Sequence, residues 1–342
     1  ALGTVCDVVE LKRYNRFFVQ KGLELIHKRY HKGIAKLIDN SKISSSPTSQ
    51  DLGFIVGPQI NAASRIDDSS LASKLLISND IEQVDSISRK LFLLNEKRKL
   101  IENQILDDAN NQAANQSSSN FILVFGNNWH QGVLGIIASK IKDIYYKPTI
   151  VISFSNNIGV GSARSIENVD LGKIILNAKT ENFLISGGGH SMAAGLKINF
   201  SNIENFKNYL EKSLSLYPKN LFDRIDYFDS VITPNELNSD LINGIEQLQP
   251  FGKGNPEPVF ILKDVNIDSI KIIKNKHILI FFENDKGDKI KGICFNSNKT
   301  ILGDYLEKYN QYKFYFSCTV TIDKFTSEPL PQIIIRDIMK ID

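Results

Sequence analysis

Apolar residues recur at helical spacing through the first third of the chain and give way to short alternating runs in the last third. A helical period predicts amphipathic helices and a period of two predicts half-buried strands, so the pattern implies a mixed α/β protein. Residues 1–9 form an apolar run that reads as a strand carrying Asp7 near its end. Phe18, Leu23, Leu25, Ile26, Ile34, Leu37 and Ile38 predict one helical stretch over about 16–38. The serines and Pro47 of 44–49 predict a loop. A helix follows Gly57-Pro58 through Ile60, Ala62, Ala63 and Ile66, and Asp67-Asp68-Ser69-Ser70 interrupts it before 71–76. Val84, Ile87, Leu91, Leu94, Ile101, Ile105 and Leu106 form the stripe of a helix over 81 to about 112. That length suits a connector between domains, a helical hairpin being the alternative; the Asn, Gln and Ser residues of 110–119 read as a linker.

From residue 121 the pattern alternates: strands at 121–125, 149–154, from 159 and at 194–198, helices at 133–144, 171–178 and 203–216. Such interleaving predicts an α/β domain. A short helix over 234–248 then leads into strands at 259–262, 270–273, 277–282, 289–295, 313–320 and 332–335, whose spacing fits a small β-barrel.

With 342 residues, 42% hydrophobic and 23% charged, the chain has the composition of a globular protein of two or three domains. Its net charge of +3 permits a nucleic-acid partner without demanding one. Cys6, Cys294 and Cys318 have no zinc-type spacing and read as reduced thiols of a cytoplasmic protein. No apolar run is long enough to span a membrane, and no signal peptide is present. The chain opens at Ala1 inside an apolar run, without an initiator Met, and reads as a fragment.

The most informative stretch is Gly187-Gly188-Gly189-His190. Glycines let backbone N–H groups approach an anion closely while an imidazole reaches it from the side, and a phosphate is the natural ligand. A plain glycine-rich turn with a surface histidine is the other reading. Five further stretches accompany it: residues 1–9; Gly57-Pro58-Gln59-Ile60-Asn61-Ala62-Ala63; Trp129-His130-Gln131-Gly132-Val133; Gly161-Ser162-Ala163-Arg164-Ser165-Ile166; and 250–260, which holds Pro250-Phe251-Gly252 and Glu257-Pro258. In this order the six resemble the RecJ family of single-strand-specific exonucleases, within the DHH phosphoesterase superfamily.

The resemblance covers nearly the whole chain. It implies the remnant of a DHH catalytic domain (1–79), a connecting helix (80–115), an α/β DHH-associated substrate-binding domain (116–218) and a nucleic-acid-binding OB-fold barrel (219–342). The Asp-His-His tripeptide that names the superfamily is absent, and none of the five histidines is adjacent to another. The family's chemistry is two-metal hydrolysis with Mn²⁺ or Mg²⁺, for which only Asp7 carries over as a ligand. Arg164 and His190 match family residues at the scissile phosphate. A guanidinium grips phosphate oxygens bidentately, and an imidazole can donate to a non-bridging oxygen. His130 precedes a predicted helix N-terminus, which favours anions, and joins them as a catalytic candidate. Gly187, Gly188, Gly189, Ser162, Ser165 and Trp129 are substrate-binding candidates, with a core aromatic as the alternative for Trp129. Where the family has Gly-Pro-Arg-Ile-Asn-Ala, Gln59 replaces the arginine; Asn61 and Arg65 read as structural. His27 and His31, among Lys28, Arg29 and Lys32, read as a solvated helix face.

In the barrel, Lys271, Lys274 and Lys276, with Lys289, Lys291 and Phe281, Phe282 and Phe295 nearby, suit a cationic groove with stacking rings. The alternative is core phenylalanines and solvated lysines. The leading expectation is the C-terminal portion of a 5′-to-3′ single-stranded-DNA exonuclease of recombination and repair, with single-strand-binding protein or a helicase as further partners. A non-catalytic single-strand-binding module and a phosphodiesterase of short oligonucleotides are the alternatives.

Overall fold

The computed structural model describes residues 1–43, 46–298, 300–323 and 330–341. Ser44 and Ser45 of the expected loop lie outside them. The chain divides into two compact units: one holds 1–23, 48–50 and 226–342, the other 24–47 and 51–225.

The chain opens with helix α1 (Leu2–Cys6), not the expected strand. Val5, Val8 and Val9 favour strands, but a strand must find partners for its backbone groups, and no described strand pairs with this segment. The amides instead close locally, Val5 N to Ala1 O, Asp7 N to Gly3 O and Val9 N to Thr4 O. Asp7 is therefore the exposed C-cap of a short helix. The single helix expected over 16–38 is two, α2 (Arg13–His27) and α3 (Lys32–Asn40). Arg29, at φ 64°, breaks the run, and His31 caps α3 by accepting from Ile34 N at 3.3 Å. His27 and His31 thus lie on different helices.

Helix α4 (Ser49–Asp51) passes through a π-helical turn at Leu52–Val56 into α5 (Gly57–Ile66). Then come α6 (Ser70–Ile77) and the long α7 (Ile81–Ala114), which Asp80 caps by accepting from Glu82 N at 2.9 Å. Helix α7 extends through residues expected as linker and packs on α3, α5 and α6.

The rest of this unit is one five-stranded sheet, ordered β1 (Ile122–Asn127), β2 (Thr149–Ser155), β3 (Ile158–Arg164), β5 (Ala193–Asn199) and β4 (Ser186–His190). Strands β1 and β2 are parallel, joined through α8 (Gln131–Tyr145); the other pairs are antiparallel. Helices α9 (Leu171–Thr180) and α10 (Ile203–Leu214) cover one face, burying Leu123, Ile150, Ile152, Ala163, Ala194, Leu196 and Ile198 among Ile175, Phe206 and Leu210. On the other face α7 and α8 bury Ile122, Val124 and Val151 against Ala109, Val133, Leu134 and Ile137. That second cover ends at β3, leaving the outer faces of β5 and β4 bare.

The triple glycine is not a turn. Gly187, Gly188 and Gly189 lie in β4, paired with Leu196, Gly195 and Ala194, and none has a positive φ. They are small for steric reasons instead. A Cβ on Gly189 would sit 2.2 Å from Ala193 O, and one on Gly187 would sit 2.8 Å from the Ile175 side chain, whereas one on Gly188 would meet nothing within 4 Å.

In the other unit, α11 (Ser239–Gln247) and α12 (Ile301–Glu307) accompany a seven-stranded sheet. Its strands are β6 (Ser230–Ile232), β7 (Phe260–Leu262), β8 (Asn266–Ile273), β9 (His277–Glu283), β10 (Lys289–Cys294), β11 (Lys313–Asp323) and β12 (Leu330–Ile341). The order β6-β7-β11-β12-β10-β9-β8 leaves β6 and β8 as unpaired edges among the described residues. Phe282, Phe316, Ile280 and Leu262 are fully buried in its core. Burial pushes the Cys318 thiol up to about 12, so it stays a protonated core residue.

The glycine geometry predicts unequal tolerance. Gly189→Ala should cost about 1–3 kcal/mol because backbone must move, while Gly188→Ala should stay within about 0.5 kcal/mol of the parent. Urea denaturation of both variants measures this, and equal losses would contradict the strand geometry.

Candidate phosphate-binding site

The register of the five-stranded sheet places the expected residues. Arg164 pairs with Ala193, which pairs with His190; Ser162 pairs with Gly195, which pairs with Gly188. Residues directly opposite one another project to the same face. Arg164, Ser162, Gly195, Gly188 and His190 therefore share the face that α7 and α8 leave partly uncovered. A Cβ on Gly195 would find only Gly161 O, at 3.9 Å, and Gly188 faces open space. The glycines make a floor without side chains, with Arg164 and Ser162 at one edge and His190 at the other. Two inter-strand spacings separate the edges, about 10 Å.

Arg164 is held from both sides. Its Nη1 donates to Ala163 O at 2.9 Å and to Ser162 Oγ at 3.2 Å. A Cβ on Gly135 of α8 would come within 2.8 Å of Nη2, so only glycine lets the guanidinium lie against the helix. Burial lowers the Arg164 guanidinium from its ordinary value. Arg65 of α5 donates to Gly132 O at 3.0 Å. Burial, then the neighbouring Arg98 and Arg164 charges, lower Arg65 too, and Glu102 opposes them. Glu102 is nearly buried and pairs with Arg98 at 2.7 Å and Lys140 at 2.5 Å. Glu102 thus faces Arg98 and Lys140 directly and Arg65 at longer range, and the surplus positive charge favours an anion.

Both histidines have Nδ1 engaged by a backbone N–H. His130 Nδ1 caps α8 by accepting from Gly132 N at 3.1 Å, and His190 Nδ1 accepts from Met192 N at 3.3 Å. With Nδ1 accepting, a neutral ring carries its proton on Nε2, where it can be donated to an oxyanion. His190 is exposed and His130 half-buried.

Other candidates stand differently. The buried Ser165 hydroxyl donates to Val169 O at 2.7 Å, so it ties a turn instead of offering a donor to substrate. Trp129 packs against the core between α7, α8 and the sheet, and its carbonyl accepts from Ser153 Oγ at 2.7 Å. Gln59 is buried and donates to Ser41 Oγ at 2.7 Å. The sequence reads Arg65 as structural, and no local signal along the chain marks its place beside Arg164. Asp7 belongs to the other unit. Among the described residues no group of three or more His, Cys, Asp or Glu side chains is placed to hold a metal. A divalent ion needs several such ligands, so the described residues do not fit a two-metal centre.

In the seven-stranded unit, Lys274 and Lys276 sit in the β8–β9 turn and Lys271 in β8, all exposed and without an ion pair among the described residues. Exposed Phe295 meets His277 edge-on at 5.4 Å. Phe282 is core instead, and Lys289 and Lys291 are paired with Asp268 and Asp323 at 2.9 and 2.8 Å.

Comparison with known proteins accords with this geometry. Residues 118–216 match the DHHA1 domain and 228–337 the RecJ OB domain. The single-stranded-DNA-specific exonuclease RecJ of Haemophilus influenzae is 31% identical over all of this chain and 61% of its own length. The chain thus resembles the RecJ family over its whole length. The Bacillus subtilis RecJ is 27% identical, with 98% of this chain and 43% of that protein covered. The Thermus thermophilus RecJ solved with Mg²⁺ shares the fold at a TM-score of 0.83 and 23% identity, covering 100% of this chain and 51% of that one. The chain thus spans less than two thirds of the length of the curated relatives it matches. No described helix is long and apolar enough to cross a membrane.

The buried carboxylate gives a test. Glu102→Gln should lower the unfolding free energy by about 3 kcal/mol, because Arg98 loses its partner while buried. Adding Arg98→Met should recover much of that loss in the same urea titration.

Proposed function

We propose that this chain is the substrate-handling portion of a metal-dependent 5′-to-3′ exonuclease of single-stranded DNA. The carrying observation is the bare glycine floor with Arg164 and Ser162 on one edge and His190 on the other, in a chain similar to RecJ along its whole length. A phosphodiester lying on Gly188 and Gly195 meets no side chain beneath it. Arg164 grips its non-bridging oxygens, and the Nε2 protons of His190 and His130 supply further donors. The lysines at the β8–β9 turn and exposed Phe295 track the rest of the strand by charge and stacking.

Relatives have been solved with Mg²⁺ and with Mn²⁺, and such an ion would activate the attacking water. The residues described here bind and orient the phosphate; the step at the metal is not theirs, with Asp7 as the one ligand the family pattern transfers. Segments 1–79, 80–115, 116–218 and 219–342 act in this reading as catalytic-domain remnant, connector, phosphate reader and strand guide. The cytoplasm is the compartment, and single-strand-binding protein or a helicase would deliver the strand.

Arg164→Ala should weaken binding of a single strand and reduce the slope of log affinity against log salt by about one. Gly188→Val, which fits the strand but fills the floor, should weaken binding at least as much without lowering stability by more than about 0.5 kcal/mol. Fluorescence anisotropy at several salt concentrations reads both; an unchanged slope for Arg164→Ala removes that residue from the backbone contact. Residues 1–342 incubated with Mn²⁺ should leave a labelled single strand intact on a denaturing gel, and robust hydrolysis would show that the chain holds the whole metal centre.

A further inference from the structure

At the end of β3 opposite Arg164, a concavity of about 420 Å³ is lined by Asn127, Asn128, Asn156, Asn157, Ser155 and the rings of Phe154 and Phe200. No charged residue lines it. None of the four side-chain amides has a hydrogen-bond partner among the described residues. Backbone geometry accounts for part of this. Asn156 and Asn157, at φ 50° and 63°, form the two-residue β2–β3 turn, and Asn128 is at φ 55°. Asn127, the last residue of β1, has no such requirement.

The aromatic wall is built with care for its orientation. Phe200 is about half exposed, yet it packs edge-on against Phe154 at 5.1 Å and 82° and against Phe125 at 6.3 Å and 82°. Two buried or half-buried rings thus hold a third in place while part of it stays open to solvent. The Phe200 amide donates to Asn157 O at 2.9 Å, and the Asn128 amide to Phe154 O at 2.9 Å, so wall and amides are fastened to each other by backbone bonds.

We propose that this concavity binds one unpaired nucleobase, stacked on Phe200 and hydrogen-bonded by the asparagine amides. A primary amide offers a donor pair and an acceptor side by side, the complement of a base edge, and an uncharged lining selects the base over the phosphate. The inference rests on the single-strand reading above and adds a second contact several nucleotides from the phosphate floor. The base can belong to a bound strand or to a free nucleotide.

The test uses the full chain and a short single strand carrying one abasic site at each position in turn. In the parent, removing the base at one position should weaken binding about tenfold; Phe200→Ala should abolish that dependence at that position and Phe200→Trp should retain it. Asn127→Ala should reduce it, while Arg164→Ala should lower overall affinity and leave the positional dependence in place. In parallel, saturation-transfer NMR with deoxyadenosine, which has no phosphate, should show contact at the base protons that Phe200→Ala removes. Nucleoside binding without an abasic effect assigns the pocket to a free nucleotide; an abasic effect assigns it to the strand. If neither measurement responds to Phe200→Ala while the oligonucleotide still binds, the pocket proposal is overturned and the phosphate reading stands. If no oligonucleotide binds, the phosphate reading fails and the nucleoside arm alone decides the pocket.

Discussion

A sheet covered along its whole width on one face, but over only three strands on the other, must present the remaining two strands to water. That asymmetry governs this protein. Helices α9 and α10 bury one face of the five-stranded sheet, and α7 with α8 bury the other only as far as β3. An exposed apolar sheet face would invite aggregation. Here β4 and β5 carry Gly188, Ala193, Gly195 and His190 at that face, which makes the surface flat, small-residued and wettable.

The same border sets the electrostatics. Where α8 stops covering the sheet, Arg164 lies against Gly135, and Arg65 reaches Gly132 O from α5. Guanidinium groups this close repel one another and lose hydration on burial. Glu102 relieves part of that cost for Arg65 while pairing with Arg98 and Lys140. At Gly132, Gly135 and Gly189 the small residue serves close approach of backbone or guanidinium, and not left-handed backbone.

Much of this was legible without coordinates. The long helix, the alternation from 121 onwards and six of the seven later strands follow from the apolar pattern of the chain. The residues proposed to read phosphate are legible as well, since arginine, histidine and glycine carry their chemistry in their type. What misled was local context. Residues 1–9 have strand-like composition, yet strand formation is decided by a neighbour, and α1 forms where none is described. The three glycines suggested a nest, whereas pairing with β5 makes them a strand. Ser165 reads as a free donor in the sequence, but its hydroxyl is enclosed in the turn to Val169.

Sequence alone determined which chemical groups this chain carries, where most helices and strands run, and which family they resemble, because periodicity and residue type are local properties. Tertiary structure decided that Arg164 and His190 share one face two strands apart, that Arg65 lies beside Arg164, and that the glycines form a floor. Those facts depend on strand order, register and helix packing, which bring together residues 26 to 99 positions apart, and no spacing along the chain encodes them.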